Sequence, residues 1–316
     1  MNAETQVIRM EQTLQESLSN ALQQLDRLLL GKTQELRLVM SCLLADGHLL
    51  LEDLPGTGKT LLAQGLARVT GLEMQRVQGT NDLLPGDLIG SQVFSRKEED
   101  FRFIPGPIFS ELLLVDEINR MPPKSQSALL QAMEERQVSV DGVTRSLPMP
   151  FWVVATQNPH GQIGTFPLPE AQLDRFLMRL SLGYPDRQAE TEILLGQERR
   201  TRLERLTATL SPEALLRLRE AVDRVTVSEA LVRYVLDLVH QTRNGGRFEV
   251  GLSTRAAQSL IRAARAWALL RGDDKVIPMD VQSVFIPVVL HRLAGMASTE
   301  SVQDRLHELL EHVEIP

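Results

Sequence analysis

The residues that could do chemistry begin with a short glycine-containing segment, Asp53-Leu-Pro-Gly-Thr-Gly-Lys-Thr60, between an apolar run and a helical pattern. In a loop between a buried strand and a helix, successive backbone N–H groups point at phosphate oxygens. Lys59 would then reach the β- and γ-phosphates of a nucleotide, and Thr60 would hold Mg²⁺. We therefore predict that ATP binds at Pro55, Gly56, Thr57, Gly58, Lys59, Thr60 and Leu61. The alternative is a glycine-rich turn with a surface lysine.

The first position of this loop departs from the usual pattern, because Asp53 stands where glycine is expected. Aspartate tolerates the geometry of tight turns. Its carboxylate would nevertheless repel a nearby triphosphate. We therefore expect the Asp53 side chain to point away from the nucleotide.

Two acidic residues follow a second apolar run, Leu112-Leu-Leu-Val115. Asp116 and Glu117 would therefore lie at the carboxyl edge of a sheet strand, where ligands of such sheets bind. Asp116 would hold Mg²⁺, directly or through water. Glu117 would orient and deprotonate the attacking water. The alternative is a buried strand that merely ends in two solvated acids.

Three further polar residues are candidates for the same site. Asn158 ends a third buried strand and could position the water or touch the γ-phosphate, unless Asn158-Pro159 is simply a turn. Arg175, interpreted as a helical residue, is part of a solvated face, an ion-pair partner of Asp174, or an arginine finger for the γ-phosphate of a neighbouring subunit. Arg255 begins a later helix and could reach the phosphates from a lid, or be a surface arginine.

The elements that must position these residues alternate along the first half of the chain. Buried strands are predicted over 47–52, 111–115 and 151–155, and helices over about 6–30, 33–45 and 59–70. Strands that alternate with helices predict an α/β fold, with a parallel sheet between helices. Two stretches break the alternation and predict inserted β-hairpins. One flanks the polar tip 95–100, and the other approaches Asp141-Gly142, a typical hairpin-turn dipeptide.

The second part of the chain has a different pattern after Tyr184-Pro185. Ser211-Pro212 is an N-cap followed by a proline in the first helical position. Apolar residues at helical spacing predict helices over about 212–226, 228–242, 253–270, 280–293 and 303–313. We predict two domains: an α/β nucleotide-binding domain over 1–185 and a small all-helical lid domain over 186–316.

Composition limits the other possibilities. The 316 residues are 43% hydrophobic and 24% charged, which is typical of a soluble globular protein. The net charge of −7 argues against a protein that mainly coats nucleic acid. Cys42 is the single cysteine, so no disulfide forms within the chain, and the six histidines show no ligand spacing. We found no membrane span or secretion signal, which predicts a cytoplasmic protein.

Taken in order, these segments resemble the MoxR family of AAA+ ATPases, in the helix-2-insert branch of AAA+ proteins. The resemblance runs from about residue 30 to residue 292. The segments that carry it are Leu50-Leu-Glu-Asp-Leu-Pro-Gly-Thr-Gly-Lys-Thr60, Gly79-Thr-Asn-Asp-Leu-Leu-Pro-Gly-Asp87, Gly106-Pro-Ile-Phe109, Asp116-Glu-Ile-Asn-Arg120, Leu168-Pro-Glu-Ala-Gln-Leu-Asp-Arg-Phe176, Tyr184-Pro-Asp186 and Gly251-Leu-Ser-Thr-Arg255. Besides Asp53, the departure is Thr254, where proline is frequent.

The resemblance implies a homo-oligomeric, hexameric ring with nucleotide between its subunits. It identifies 92–104 as the insert in the second helix and 138–147 as the hairpin before the sensor strand. It also makes Asn158 sensor 1, Arg175 the finger and Arg255 sensor 2. Members of the family are chaperone-like remodellers of protein clients. They often mature metalloenzymes or complexes with partners that carry a von Willebrand factor A domain.

Two other functions remain open at this point. A P-loop kinase or small-molecule transferase would use the same phosphate loop. The acidic pair, the helical lid and the two arginines favour hydrolysis instead, and we see no separate acceptor-binding insertion. A scaffold that binds nucleotide without turnover is the third hypothesis, and the intact Lys59 and Glu117 argue against it.

Overall fold

The computed structural model describes residues 3–97, 99–158, 164–195, 199–244, 246, 248–293 and 299–315. Its strands are β1 (His48–Glu52), β2 (Met74–Gln78), β3 (Ser91–Ser95), β4 (Asp100–Ile104), β5 (Leu112–Asp116), β6 (Gln137–Val140), β7 (Val143–Ser146), β8 (Trp152–Gln157) and β9 (Phe176–Leu180). Its α-helices are α1 (Ala3–Leu28), α2 (Thr33–Leu44), α3 (Lys59–Thr70), α4 (Pro85–Ile89), α5 (Pro123–Glu135), α6 (Glu170–Leu173), α7 (Arg187–Leu195), α8 (Arg199–Glu204), α9 (Pro212–Arg224), α10 (Glu229–Asn244), α11 (Thr254–Arg271), α12 (Pro278–Leu293) and α13 (Thr299–His312). Pro159, the second residue of the predicted Asn158-Pro159 turn, and His160, one of the six histidines, lie outside the described residues.

A parallel five-stranded sheet, in the order β2-β5-β8-β1-β9, forms the centre of the first domain. The three predicted strands are its inner members β5, β8 and β1, and they are almost entirely buried. Their register places Leu50 and Val115 on either side of Ala155. Because the strands are parallel, their carboxyl ends lie at one edge of the sheet. The predicted α/β class is confirmed.

Two strands of this sheet were not predicted. In the edge strand β2, Val77 is the buried residue, so β2 lacks the apolar run that identifies a sheet strand. Strand β9 pairs in parallel with β1 and is mostly buried. The prediction that Arg175 lies on a helix was wrong. Helix α6 ends at Leu173, and Arg175 lies in the turn before β9, because Phe176 and the apolar residues after it fill the sheet edge.

Both inserted hairpins are present. Strands β3 and β4 pair antiparallel around the polar tip, and strands β6 and β7 do the same around Asp141-Gly142. Asp141 and Gly142 both have positive φ, at 51° and 77°. A two-residue turn of this conformation suits the twist of a hairpin, which explains why the dipeptide predicts it.

The helices of the second part follow the predicted positions closely from α9 to α13. The Ser211 hydroxyl caps α9 by accepting the Ala214 N–H at 3.2 Å, and Pro212 occupies the first helical position, as predicted. Ser253 caps α11 in the same way. Helices α7 and α8 were not predicted, since α7 has Ala189 as its buried residue and presents no apolar stripe.

The apolar core is continuous between the sheet and the later helices. One face of the sheet, α2 and helices α9 to α13 contribute to a single cluster of buried side chains. The opposite face packs against α5 in a second, smaller cluster. The division of the chain at residues 185 and 186 stays a prediction. Among the described helices, none combines the length and apolarity needed to cross a membrane.

Candidate nucleotide-binding site

The predicted phosphate loop lies between β1 and α3. Gly56 and Gly58 have φ values of 92° and 96°, a left-handed conformation that glycine adopts without steric cost. Helix α3 begins at Lys59, so the unpaired N–H groups of its first turn face the end of the loop. This arrangement of strand, glycine turn and helix N-terminus is one that binds phosphate.

The Lys59 side chain folds back over the loop. Its Nζ donates to Asp53 O at 2.7 Å and to Leu54 O at 2.9 Å. Partial burial lowers the pKa of the Lys59 ammonium, and the carboxylates of Asp53, Asp116 and Glu117 act in the opposite direction. The ammonium is therefore held at the loop by carbonyl oxygens that phosphate oxygens can replace.

The Asp53 carboxylate points away from the loop interior, as expected. It is buried and accepts the Ser181 hydroxyl at 2.7 Å and the Gly183 N–H at 3.1 Å. It also accepts the Leu182 N–H. The residue that replaces the usual glycine thus fastens the start of the phosphate loop to the segment after β9.

A cavity of about 660 Å³ brings most of the predicted site residues together. From the loop and α3 it is lined by Pro55, Gly56, Gly58, Lys59, Thr60, Leu61 and Gln64, and from elsewhere by Arg76, Gln78, Asp116, Glu117, Thr156, Asn158 and Leu203. Thr57 is the predicted loop residue that does not line it, and its hydroxyl donates to Leu54 O at 3.2 Å. The cavity is large enough for a ligand of nucleotide size.

Asp116 is the buried acid of the predicted pair. Its Oδ2 lies 2.7 Å from Arg76 Nε, and its Oδ1 accepts the Thr156 hydroxyl at 3.3 Å. Thr156 Oγ1 in turn accepts the backbone N–H of Glu117 at 3.0 Å. Strands β2, β5 and β8 therefore fix the position of this acidic pair together.

Glu117 adopts a left-handed conformation, with φ 56°, directly after β5. Its Oε2 accepts Arg120 Nη1 at 3.0 Å and Gln78 Nε2 at 3.2 Å. Asn158 Nδ2 lies 3.5 Å from the other oxygen, Oε1. The predicted base and the predicted sensor residue therefore meet at the carboxyl edge of the sheet.

The donor set at this edge suits Mg²⁺ bound together with a triphosphate. Thr60 and Asp116 both line the cavity and offer hydroxyl and carboxylate oxygens, which Mg²⁺ prefers. Within the described residues, no group of three or more His, Cys, Asp or Glu side chains could hold a metal on its own. A metal at Thr60 and Asp116 would therefore take its remaining ligands from phosphates and water.

The two predicted arginines lie elsewhere. Arg175 and Arg255 line a different cavity, of about 310 Å³, and neither lines the cavity of the phosphate loop. Both pair with Glu134. That Arg255 reaches phosphates from the lid stays a prediction, and within one chain it does not line the phosphate-loop cavity. The suggested pairing of Arg175 with Asp174 is also wrong, because Asp174 pairs with Arg292 at 2.6 Å and with Arg255 at 3.8 Å.

Several site residues were missed by the sequence analysis. Arg76 lies in the middle of β2 and Gln78 at its end, and because this strand has no apolar signal, their place beside the acids could not be predicted. Leu203 reaches the cavity from the short helix α8. Glu134 carried no signal, since an acid on the exposed face of a helix near its end is common.

Comparison with known proteins agrees with this geometry. Residues 48–178 match the ATPase family associated with various cellular activities (AAA), and residues 240–309 match the AAA lid domain. The protein YeaC of Bacillus subtilis is 41% identical over 97% of both chains. The chaperone MoxR1 of Mycobacterium tuberculosis is 40% identical over 95% of this chain and 82% of its own length. A crystal structure of a candidate ATPase from Cytophaga hutchinsonii superposes with a TM-score of 0.88, at 34% identity, over 99% of this chain and 98% of the other.

The fold and the site thus define a P-loop protein of the AAA class with a helical lid. The chain belongs to the MoxR family of AAA+ ATPases.

Proposed function

We propose that this protein hydrolyses ATP in the presence of Mg²⁺ at the interfaces of a hexameric ring, and uses the energy to remodel protein clients. Membership of the family supports ATP as the nucleotide. The name of the mycobacterial relative, chaperone MoxR1, supports a chaperone-like function. Ring assembly, metal dependence and client remodelling are the parts that we add.

The observation that carries the proposal is the separation of the catalytic groups into two cavities. Lys59, Asp116 and Glu117 lie in the cavity of the phosphate loop, whereas Arg175 and Arg255 lie in the other. Phosphoryl transfer is accelerated when an arginine neutralises charge on the γ-phosphate. A second copy of the chain could supply these arginines, which makes the interface between subunits the place of hydrolysis.

Five residues of the phosphate-loop cavity then have defined roles. Lys59 exchanges its carbonyl contacts for β- and γ-phosphate oxygens. Thr60 and Asp116 hold Mg²⁺, which neutralises charge on the phosphates. Glu117 accepts the proton of the attacking water, and Asn158 beside it orients that water.

Phosphate release tests hydrolysis against the two alternatives. We expect wild-type protein to release phosphate from ATP, and Glu117→Gln to lose release while it still binds ATP in calorimetry. Lys59→Ala should lose both. Release that survives in Glu117→Gln would contradict the role of Glu117, and binding without any release in the wild type would favour a scaffold. Phosphate transfer to an added small molecule, without release to water, would favour a transferase.

The protein client can be sought with the same variant. We propose that the client is presented by, or contacts the ring through, a partner with a von Willebrand factor A domain, as in members of the family that the sequence resembles. Glu117→Gln with ATP should hold the client longer than wild-type protein does. Pull-down with this variant, compared with Lys59→Ala, should enrich a protein that depends on bound ATP. Equal recovery with both variants would argue against ATP-dependent client binding.

A further inference from the structure

Glu134, in the last turn of α5, joins the two arginines of the second cavity through a single carboxylate. Its Oε2 lies 3.1 Å from Arg175 Nη2, and its Oε1 lies 3.1 Å from Arg255 Nη1. Arg175 comes from the turn before β9, and Arg255 comes from the first turn of α11. One acid therefore connects an arginine of the AAA-matched segment with an arginine of the later helices.

The surrounding charges support the two arginines unequally. Arg255 Nε also lies 3.8 Å from Asp174 Oδ2. Asp174 is held in turn by Arg292, whose side chain is 6% exposed and also donates to Phe176 O at 2.9 Å. For Arg175, Glu134 is the acid with which it pairs in the part of the chain that the structure describes. Loss of Glu134 would therefore release Arg175 more completely than Arg255.

The geometry of the contact leaves both arginines able to bind a further anion. Each guanidinium uses one terminal nitrogen on Glu134, and an arginine has five N–H donors in a planar fork. A pair of guanidinium groups that fits the two oxygens of one carboxylate has a spacing that also suits two oxygens of a phosphoryl group. With Asp174 and Arg292 included, three arginines and two acids leave a net positive charge at this point of the cavity.

We propose that Glu134 is a positioning residue, which holds Arg175 and Arg255 side by side so that both contact the same γ-phosphate of a neighbouring subunit. This inference rests on the proposed function. Glu134 does not line the phosphate-loop cavity of its own chain. Its loss should therefore lower turnover by disordering the arginines, since small misplacements of catalytic groups cost large factors in rate, and should leave nucleotide binding in its own cavity intact.

Glu134→Gln tests the proposal, because it keeps the size of the side chain and removes the charge. We expect kcat for ATP hydrolysis to fall about tenfold or more, with the Kd for ATP unchanged within about twofold. Glu135→Gln is the matched control: Glu135 is the next residue of α5, is exposed, and accepts Gln131 Nε2 at 2.9 Å outside the cavity. Its kcat should equal that of the wild type.

A triple variant shows whether Glu134 acts through the arginines. In a background of Arg175→Ala and Arg255→Ala, Glu134→Gln should cause no further loss of the residual rate. A further loss of about tenfold there would show that Glu134 acts by another route and would overturn the proposal. Glu134→Asp, which keeps the charge on a shorter side chain, should recover part of the rate and serves as the test if Glu134→Gln does not fold.

The outcomes separate this inference from the proposed function. If the wild type releases no phosphate, the proposed function fails. If Arg175→Ala abolishes release but Glu134→Gln has wild-type kcat, the proposed function stands and the role of Glu134 is wrong.

Discussion

Arg76 Nε lies 2.7 Å from Asp116 Oδ2, so the acid proposed to hold Mg²⁺ is paired with a cation of the same chain. Arg76 comes from the edge strand β2, and its side chain is half exposed in the phosphate-loop cavity. A cation at this position attracts the triphosphate and competes with a metal at the same carboxylate. The first effect strengthens the binding of ATP and the second weakens the binding of Mg²⁺, so the two can be measured separately.

Arg76→Gln should weaken the binding of ATP in the absence of Mg²⁺. Added Mg²⁺ should then increase the affinity for ATP more than it does in the wild type. Removing one positive charge near the phosphates lowers the Coulomb attraction, for which we expect roughly a five- to tenfold loss of affinity in EDTA. The concentration of Mg²⁺ that gives half-maximal ATP binding should fall. Calorimetric titration with and without Mg²⁺ measures both, and an unchanged affinity in EDTA would contradict the prediction.

Asp53→Gly restores the glycine usual at this position and should nevertheless destabilise the protein. The substitution leaves the Ser181 hydroxyl and the N–H groups of Leu182 and Gly183 without their acceptor. The Leu182 N–H is buried, and a buried donor without a partner costs about 1–3 kcal/mol, so the urea midpoint should fall in the absence of nucleotide. Ser181→Ala, which removes one donor together with its contact, should cost less. An Asp53→Gly variant as stable as the wild type would show that the anchoring of the loop contributes little.

Arg175→Ala and Lys59→Ala subunits should each have little activity separately and should recover part of it when mixed. In a mixed ring, the intact phosphate loop of an Arg175→Ala subunit can face the arginines of a Lys59→Ala subunit. Phosphate release over a range of mixing ratios measures the recovery, which should be greatest near equal amounts. Rings that never recover activity, although both variants co-assemble in size-exclusion chromatography, would show that Arg175 does not act across an interface.

Acid should destabilise the folded protein through its buried histidines. Burial, with a further contribution from Arg136, lowers the pKa of His48 from 6.5 to about 3, and burial also lowers the pKa of His291 well below its usual value. His48 Nδ1 accepts the Val153 N–H at 3.0 Å, and the ring lies 3.3 Å from Met133 O through Nε2. The folded protein therefore requires the neutral ring.

The sign follows from which state binds more protons. Between the lowered folded pKa and the unfolded value of 6.5, the unfolded chain is protonated and the folded one is not, so stability falls as pH falls. From about pH 7.5 to about pH 5.5 the loss should be about 1.4 kcal/mol per buried histidine. Urea unfolding of the wild type and of His48→Gln at both pH values measures it. The free energy of unfolding should depend less on pH in the variant, by roughly the contribution of one histidine. An identical pH dependence would show that His48 does not contribute to it.

The sequence predicted the parts of this protein whose pattern is local. The buried runs that became β1, β5 and β8 contain uninterrupted apolar segments, at 49–51, 112–115 and 152–155, and the phosphate loop has a composition that specifies its conformation. The acidic pair and Asn158 follow from these strands, because residues after parallel strands share one edge of the sheet. These were the residues whose neighbourhood could be inferred before the structure.

The remaining residues depend on tertiary contacts that leave no local signal. Strand β2 is stabilised by pairing with β5 and not by an apolar run, so Arg76 could not be placed. The turn that carries Arg175 was interpreted as helix because the apolar pairing of β9 with β1 is long-range. The meeting of Arg175 and Arg255 at Glu134 depends on three separate segments, and sequence spacing contains no information about it.

The single apolar core shared by the sheet and the later helices has a mechanical consequence. To bend the chain between them would expose buried side chains such as Leu36, Trp267 and Val288 to water, at about 25 cal/mol for each Å² of apolar surface. A protomer built in this way resists bending between the sheet and the later helices. In the ring that we propose, the interfaces between protomers would then bend more easily than the protomers, and movement would reach a client through those interfaces.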